Sequence, residues 1–485
     1  MQGMVSFGQA IAHHAREQPD RLAVTCADDA ITFAELHRRT NLLARAYASL
    51  GVEAGDMVTV ALPNSVEFLV ACVAVWKLGA TAQPCSPVLP ERERQAIVEL
   101  ADSALVVGAP PESHPSRTVV SAGFEPDPTL GDGDLPDVVS ARWKAPTSGG
   151  STGRPKLIVS ADPGLVDLGS PRGTLPLREA VCVPGPLYHN APFTYASSAL
   201  VRGNHVALLP RFDAEATLAA VHEHRAVLLL LVPTMMQRIA RLPEEVRDRY
   251  DVSSLRFVWH MAAPCPAWLK EWWIDWLGGE RIYELYAGTE AQAVTVVRGD
   301  EWLARRGTVG RPTSGMIRIQ DPETLEILPP GQVGEVFMHP GPDRRTYEYV
   351  GAEARATDDG WESLGDMGWV DEDGYLFLAD RRSDMILSGG ANIYPAEVEG
   401  ALDEHPAVVS SAVIGLPDED LGQRVHAVVQ VTAEGAVGEE ELRAFVAERL
   451  VRYKVPRSFE LTTDVVRGHD GKVRRSALRE ARSAG

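Results

Sequence analysis

One stretch in the first quarter of the chain narrows the choice of folds. Met57-Val58-Thr59-Val60-Ala61-Leu62 is a short apolar run of strand character. Pro63-Asn64-Ser65 interrupts it, and residues 66–78 then carry a helical pattern ending at Gly79-Ala80. This is a strand–turn–helix unit of the βα kind, which calls for a sheet covered by helices. Similar alternation runs from residue 7 to residue 112 and again from 181 to about 296. The intervening residues 110–146 are rich in Pro, Gly, Ser and Asp and read as a loop-rich connection. Paired strand patterns follow over 311–338, with turns at Asp321-Pro322 and Pro330-Gly331. A hairpin over 369–378 turns on Asp371-Glu372-Asp373-Gly374.

The pattern resets after Arg381. Residues 397–404 read as a helix, 407–414 and 425–431 as strands and 439–449 as a helix, with a basic tail beyond. That is a compact α+β unit of about 100 residues, the size of a small autonomous domain. With 485 residues in all, one core is not enough. The expected division is a large domain over 1–381, a connector at 382–384 and a small domain over 385–485.

Charge removes several functions. The net charge of −20, from 47 basic and 67 acidic side chains, argues against general affinity for nucleic acid or an anionic membrane. Any phosphate site must therefore gather its own Lys and Arg. The five cysteines (Cys26, Cys72, Cys85, Cys182 and Cys265) form no CxxC pair and read as core or loop thiols of a reducing compartment. The N-terminus reads as an amphipathic helix rather than a signal segment, and the longest aliphatic run, 226–232, is too short to span a bilayer. A cytoplasmic enzyme is the expectation.

The densest chemical signal is Thr147-Ser148-Gly149-Gly150-Ser151-Thr152-Gly153-Arg154-Pro155-Lys156. Glycines let backbone amides approach an anion closely, and hydroxyls and a lysine add donors for phosphate oxygens. The spelling is neither a Walker A loop nor GxGxxG, so a P-loop GTPase or kinase is excluded. Composition alone also allows a flexible Gly/Ser linker, although a linker needs no fixed Pro-Lys end.

This loop resembles the phosphate-binding loop of the adenylate-forming superfamily, which holds acyl- and aryl-CoA synthetases, luciferases and peptide-synthetase adenylation domains. Further segments in the family's order extend the resemblance from about residue 63 to 472. Tyr286-Ala287-Gly288-Thr289-Glu290 resembles Tyr-Gly-x-Thr-Glu, whose aromatic packs near adenine, whose Thr bonds the α-phosphate and whose Glu holds Mg²⁺. Leu364-Gly365-Asp366 and Asp380-Arg381 resemble the ribose-binding motifs. Ala262-Ala263-Pro264 stands where relatives have the strip beneath adenine. Pro186-Leu187-Tyr188-His189-Asn190 resembles the motif whose His gates the acyl pocket, and Gly471-Lys472 matches the catalytic lysine.

The resemblance implies a layered α/β large domain with a small β-barrel and a small, mobile α+β C-terminal domain that pivots at Ser383. It implies ATP, Mg²⁺ and coenzyme A. His189, Phe193, His260, Met261 and Gly288 would line the acyl pocket, while Ser388, Gly389 and Gly390 would receive pantetheine. Glu290 would carry the metal, and Lys472 and Thr289 would serve adenylation. The activity implied is that of an acyl-CoA ligase for a hydrophobic acid of bulky alicyclic, steroid-like or aromatic type, acting as monomer or homodimer. Ala287, Met261 and residues 466–470 depart from the family spelling, which implies that adenylation is the weaker half-reaction. Two alternatives stay open: delivery of the acyl group to a carrier protein, and a metabolite-binding pseudoenzyme, against which Lys472, Glu290 and Lys156 argue.

His222-Glu223-His224 has no third ligand in sequence and reads as a solvated helix end. Trp268, Trp272 and Trp276 share one helix face and read as packing residues.

Overall fold

A computed structural model describes residues 3–149, 155–170, 175–388, 391–468 and 472–483. The strand expected at the start of the βα unit is Met57–Val60, and the helix is Val66–Lys77. The Ser65 hydroxyl accepts the Phe68 amide at 3.1 Å and caps the helix. Every residue of the helix except Glu67 is buried, as an almost uniformly apolar helix requires. It lies between two sheets. One is a four-stranded parallel sheet in the order Thr81–Pro84, Met57–Val60, Leu105–Val107, Thr118–Val120.

The larger sheet has a parallel half, ordered Leu22–Cys26, His205–Leu208, Ala180–Val183, Leu228–Leu231, Phe257–Met261, Ile282–Tyr286. From its last strand the ladder turns antiparallel through Val294–Arg298 to Thr308–Ser314. The strands expected as a small barrel continue it: Leu376–Arg381, Glu362–Val370, Gly334–His339 and Met316–Gln320. The hairpin turn falls where the sequence places it. The Gly374 amide donates to the Asp371 carbonyl at 3.0 Å, and Gly374 holds φ +80°.

Thr147–Gly149 and Pro155–Ser160 form an antiparallel pair, extended by Tyr347–Val350. Gly150, Ser151, Thr152 and Gly153 of the expected phosphate loop lie outside the described residues, as do Gly389, Gly390 and Gly471. Backbone alone is described for Ser148, Gly149 and Arg381.

The small domain holds a five-stranded sheet around the long hairpin Val408–Asp418 with Gly422–Val431, packed by helices Pro395–Asp403 and Glu439–Ala447. Its basic tail is more ordered than the sequence suggests. Ser458–Thr462 adds a parallel strand to Gly422–Val431, burying Phe459. Helix Arg475–Ser483 is tied back by Arg482, which grips both oxygens of Glu460 at 2.6 Å. Ion pairs tie down the helix, none of whose described side chains is fully buried, so hydrophobic patterning does not reveal it.

Candidate active site

The two residues that end strand Ile282–Tyr286 and its following turn reach opposite parts of one site. The Tyr286 hydroxyl donates to Asp366 Oδ2 at 2.8 Å, joining the residues expected at adenine and at ribose. Asp366 is also the strand partner of Arg381. Beyond the turn, Glu290 is 4 % exposed. Its Oε1 accepts the Tyr349 hydroxyl at 2.5 Å and faces Lys156 Nζ at 3.5 Å. Lys156 lies over the Tyr349 ring, 3.9 Å from its centroid. Burial, then the Glu290 charge, pushes the Tyr349 phenol well up, so it remains a donor to the carboxylate.

The Tyr349 and Lys156 contacts both fall on Glu290 Oε1. Oε2 looks toward Gly288, where an added Cβ would lie 2.7 Å from it and collide with Leu364 Cδ1. Glycine is thus required by close approach rather than by backbone angle. A buried carboxylate beside Lys156 is of the donor type that suits Mg²⁺, whose remaining ligands would come from substrate phosphates and water. No cluster of three or more candidate metal ligands occurs among the described residues. His224 lies 4.8 Å from the His205 ring.

The strip Ala262-Ala263-Pro264 follows strand Phe257–Met261, with Ala262 and Pro264 exposed. Ala262 holds φ +73°, a left-handed conformation that costs a non-glycine residue on the order of 1 kcal/mol. Ala287, Gly288 and Thr289 are half-buried in the turn after Tyr286, and Thr147 accepts Gln83 Nε2 at 2.9 Å. His189 stands at the N-cap of helix Asn190–Leu200, its ring 4.6 Å from Tyr188. Lys472 is exposed ahead of helix Arg475–Ser483, its carbonyl accepting the Gly468 amide at 2.9 Å. Ser388 is 9 % exposed and pairs with Gly422. Ser383 is exposed in the turn between Leu376–Arg381 and Ile386–Ser388.

Two residues expected in the acyl pocket lie elsewhere. Phe193 is fully buried, stacked on Trp143 at 5.7 Å and against Trp76 and Phe68. It is a core residue because helix Asn190–Leu200 turns that face toward Val66–Lys77. His260 is also fully buried, but on the other side of its strand from Met261. Trp259 and Met261 join one core cluster while Val258 joins the other, so strand alternation sends His260 toward helix Ala267–Leu277. There its Nδ1 lies 3.9 Å from Glu284, which is ion-paired with Lys270. Burial, reinforced by Lys270, holds the imidazole well below its ordinary pKa. Trp272 and Trp276 do pack, their rings 5.1 Å apart.

Tyr349 was not legible as a site residue. A Tyr-x-Tyr alternation at 347 and 349 marks one strand face, but no local signal links it to Glu290. An aromatic cluster on the Met261 side of the strand likewise has no local signal in the sequence. Trp259 stacks on Tyr283 at 4.9 Å, and Tyr195 stands 6.2 Å from Trp259.

Comparison with known proteins accords with this arrangement. The chain matches the AMP-binding enzyme family over residues 11–342 and that family's C-terminal domain over 397–472. A feruloyl-CoA synthase of Amycolatopsis sp is 34% identical over 502 residues, covering 98% of each chain. A methyl-dioxo-octahydroindenyl propanoyl:CoA ligase of Rhodococcus jostii is 32% identical, covering 97% of this chain and 98% of its own. Among solved structures, an amide bond synthetase of Marinactinospora thermotolerans superposes with a TM-score of 0.82 at 27% identity, covering 98% of this chain and all of its own. With both domains matched, the chain belongs to the AMP-binding enzyme family of the adenylate-forming superfamily.

Proposed function

We propose that this chain is an ATP-dependent, AMP-forming acyl-CoA ligase. The observation that carries the reading is the joining of distant motifs: Lys156, Tyr349 and Glu290 on one flank, Tyr286 and Asp366 on the other. A carboxylate oxygen of the acid attacks the α-phosphorus and pyrophosphate leaves. The CoA thiol then attacks the acyl carbon, giving the thioester and AMP. Lys156 and the loop before it hold the outgoing phosphates, and Asp366 accepts the ribose hydroxyls. Glu290 would hold Mg²⁺, which offsets the charge of the phosphates when bound. Lys472 bridges the two anions that must meet. Residues 1–381 form the platform, 382–384 the pivot and 385–485 the mobile domain, with Ser388, Gly389 and Gly390 along the thiol's path.

The acid is hydrophobic and bulky, alicyclic or aromatic. The half-buried Tyr195 and Tyr283, which pack on Trp259 on the Met261 side of that strand, support this, and the ring-bearing acids named for the two relatives agree with it. Adenylation is the weaker half-reaction, a reading supported by the strained Ala262 and by Met261 and Ala287 at positions of glycine spelling. A panel of acids with ATP, with and without CoA, followed by mass spectrometry, tests the whole reading. Acyl-CoA is expected from ring-bearing acids. Transfer only to a carrier protein, or adenylate bound without turnover, would replace it. Lys472→Ala should slow pyrophosphate release by a factor on the order of 100 to 1,000, and spare thioester formation from supplied acyl-adenylate.

A further inference from the structure

We propose that Glu399 is the positioning residue for Lys472, acting through Arg467 and Arg475. Glu399 sits on helix Pro395–Asp403 and is 3 % exposed. Arg475 Nη2 donates to both its oxygens, at 2.7 and 2.9 Å, and Arg467 Nη2 donates to Oε2 at 2.7 Å. The Val413 amide completes the shell on Oε1 at 2.8 Å. The two arginines flank Lys472 in sequence. The chain entering the lysine segment and the chain leaving it are thus tied to the same buried carboxylate, and the Gly468 amide closes onto the Lys472 carbonyl between them.

The arrangement also reaches the hinge. Arg475 Nη1 donates to Asp384 at 3.0 Å, and Arg479 lies 3.7 Å from the same carboxylate. Asp384 immediately follows the exposed Ser383. A swing of the small domain therefore carries the hinge exit, Glu399 and the lysine segment as one body. Burial alone would raise the Glu399 carboxyl, but the two guanidinium groups outweigh it and hold it below its ordinary range. A charge this deeply buried stays only when fully paired, which makes the grip on both arms rigid. Rigidity matters here because a lysine on a long flexible stem bridges two anions only if its backbone is held.

The proposal rests on the adenylation role of Lys472, and the test keeps the two apart. Arg467→Gln removes one arm and leaves the Arg475–Glu399 pair. Adenylation kcat is expected to fall by a factor on the order of 100, as for a misplaced catalytic group, with the KM for ATP unchanged. Thioester formation from supplied acyl-adenylate should be unaffected. In a Lys472→Ala background the same substitution should add no further loss of adenylation. Amide exchange at Gly468 should quicken in the full-length variant whatever the reaction proves to be. Glu399→Gln should behave alike; if it fails to fold, Arg467→Gln carries the test. Equal loss of both half-reactions in a folded variant, additive losses in the double variant, or unaltered exchange would each overturn the clamp. A wild-type enzyme that activates no acid would instead sink the functional reading, while exchange at Gly468 would still report on the clamp.

Discussion

Lys77 ends the buried helix Val66–Lys77 at 5 % exposure, a position few lysines occupy. Its ammonium donates to Asn41 Oδ1 at 2.6 Å and to the His37 carbonyl at 3.1 Å, and His37 in turn pairs with Asp134 at 2.7 Å. Burial pulls its pKa down to about 7, with Asp134 opposing and Arg45 assisting. Since an unfolded lysine titrates near 10.4, the unfolded chain binds more protons than the folded one between these values. Stability from this group therefore rises with pH across that interval, by at most about 1.4 kcal/mol per unit. Buried thiols such as Cys72 and Cys182, pushed up by burial, act in the opposite sense above about pH 8.5. Urea midpoints between pH 7 and 8.5 should rise for the wild type and flatten in Lys77→Met. An equal slope in both proteins would assign it elsewhere. Nothing in the sequence around Lys77 announces this, because desolvation is a property of what packs over a residue.

Secondary-structure elements were legible wherever a local pattern sets them. The apolar run at 57–62 holds strand Met57–Val60, the helical run after Ser65 is helix Val66–Lys77, and the turn falls at Gly374. What the patterns could not say is which way a face points. Phe193 reads equally well as pocket or core from its helix, and only contact with Trp143, Trp76 and Phe68 decides it. Phe193→Ala should cost about 3–5 kcal/mol of stability through the cavity it leaves. The ranking of acids by kcat/KM should stay the same. A changed ranking at unchanged stability would return Phe193 to the pocket. His260 carries the same lesson on a strand, since one step of register separates it from Met261.

Across the whole molecule, the contacts on either side of Ser383 divide cleanly. Arg382 is bound to the large domain, its amide to the Gly365 carbonyl at 2.7 Å and its guanidinium to Glu323 at 2.6 Å. Asp384 is bound to Arg475 of the small domain. Arg241 crosses between the domains to the Val408 carbonyl. Rotation at 383 would break no bond on either anchor. Ser383→Pro, which fixes φ near −65°, should leave one half-reaction near its wild-type rate and suppress the other. Parallel pyrophosphate-release and thioester assays measure this, and equal retention of both would move the pivot elsewhere.

The sequence by itself determined the elements, the two-domain division and the chemistry on offer, because periodicity, capping hydroxyls, turn glycines and the hydroxyl-rich loop before Lys156 act over a few residues. Tertiary structure alone decided which of those groups meet. Glu290 finds Tyr349 only because strand Tyr347–Val350 pairs with Pro155–Ser160. Tyr286 finds Asp366 across a separation of 80 residues. The two arms on Glu399 close only when the C-terminal tail returns to helix Pro395–Asp403. Such meetings depend on strand order and chain crossovers between remote segments, and no local preference encodes them.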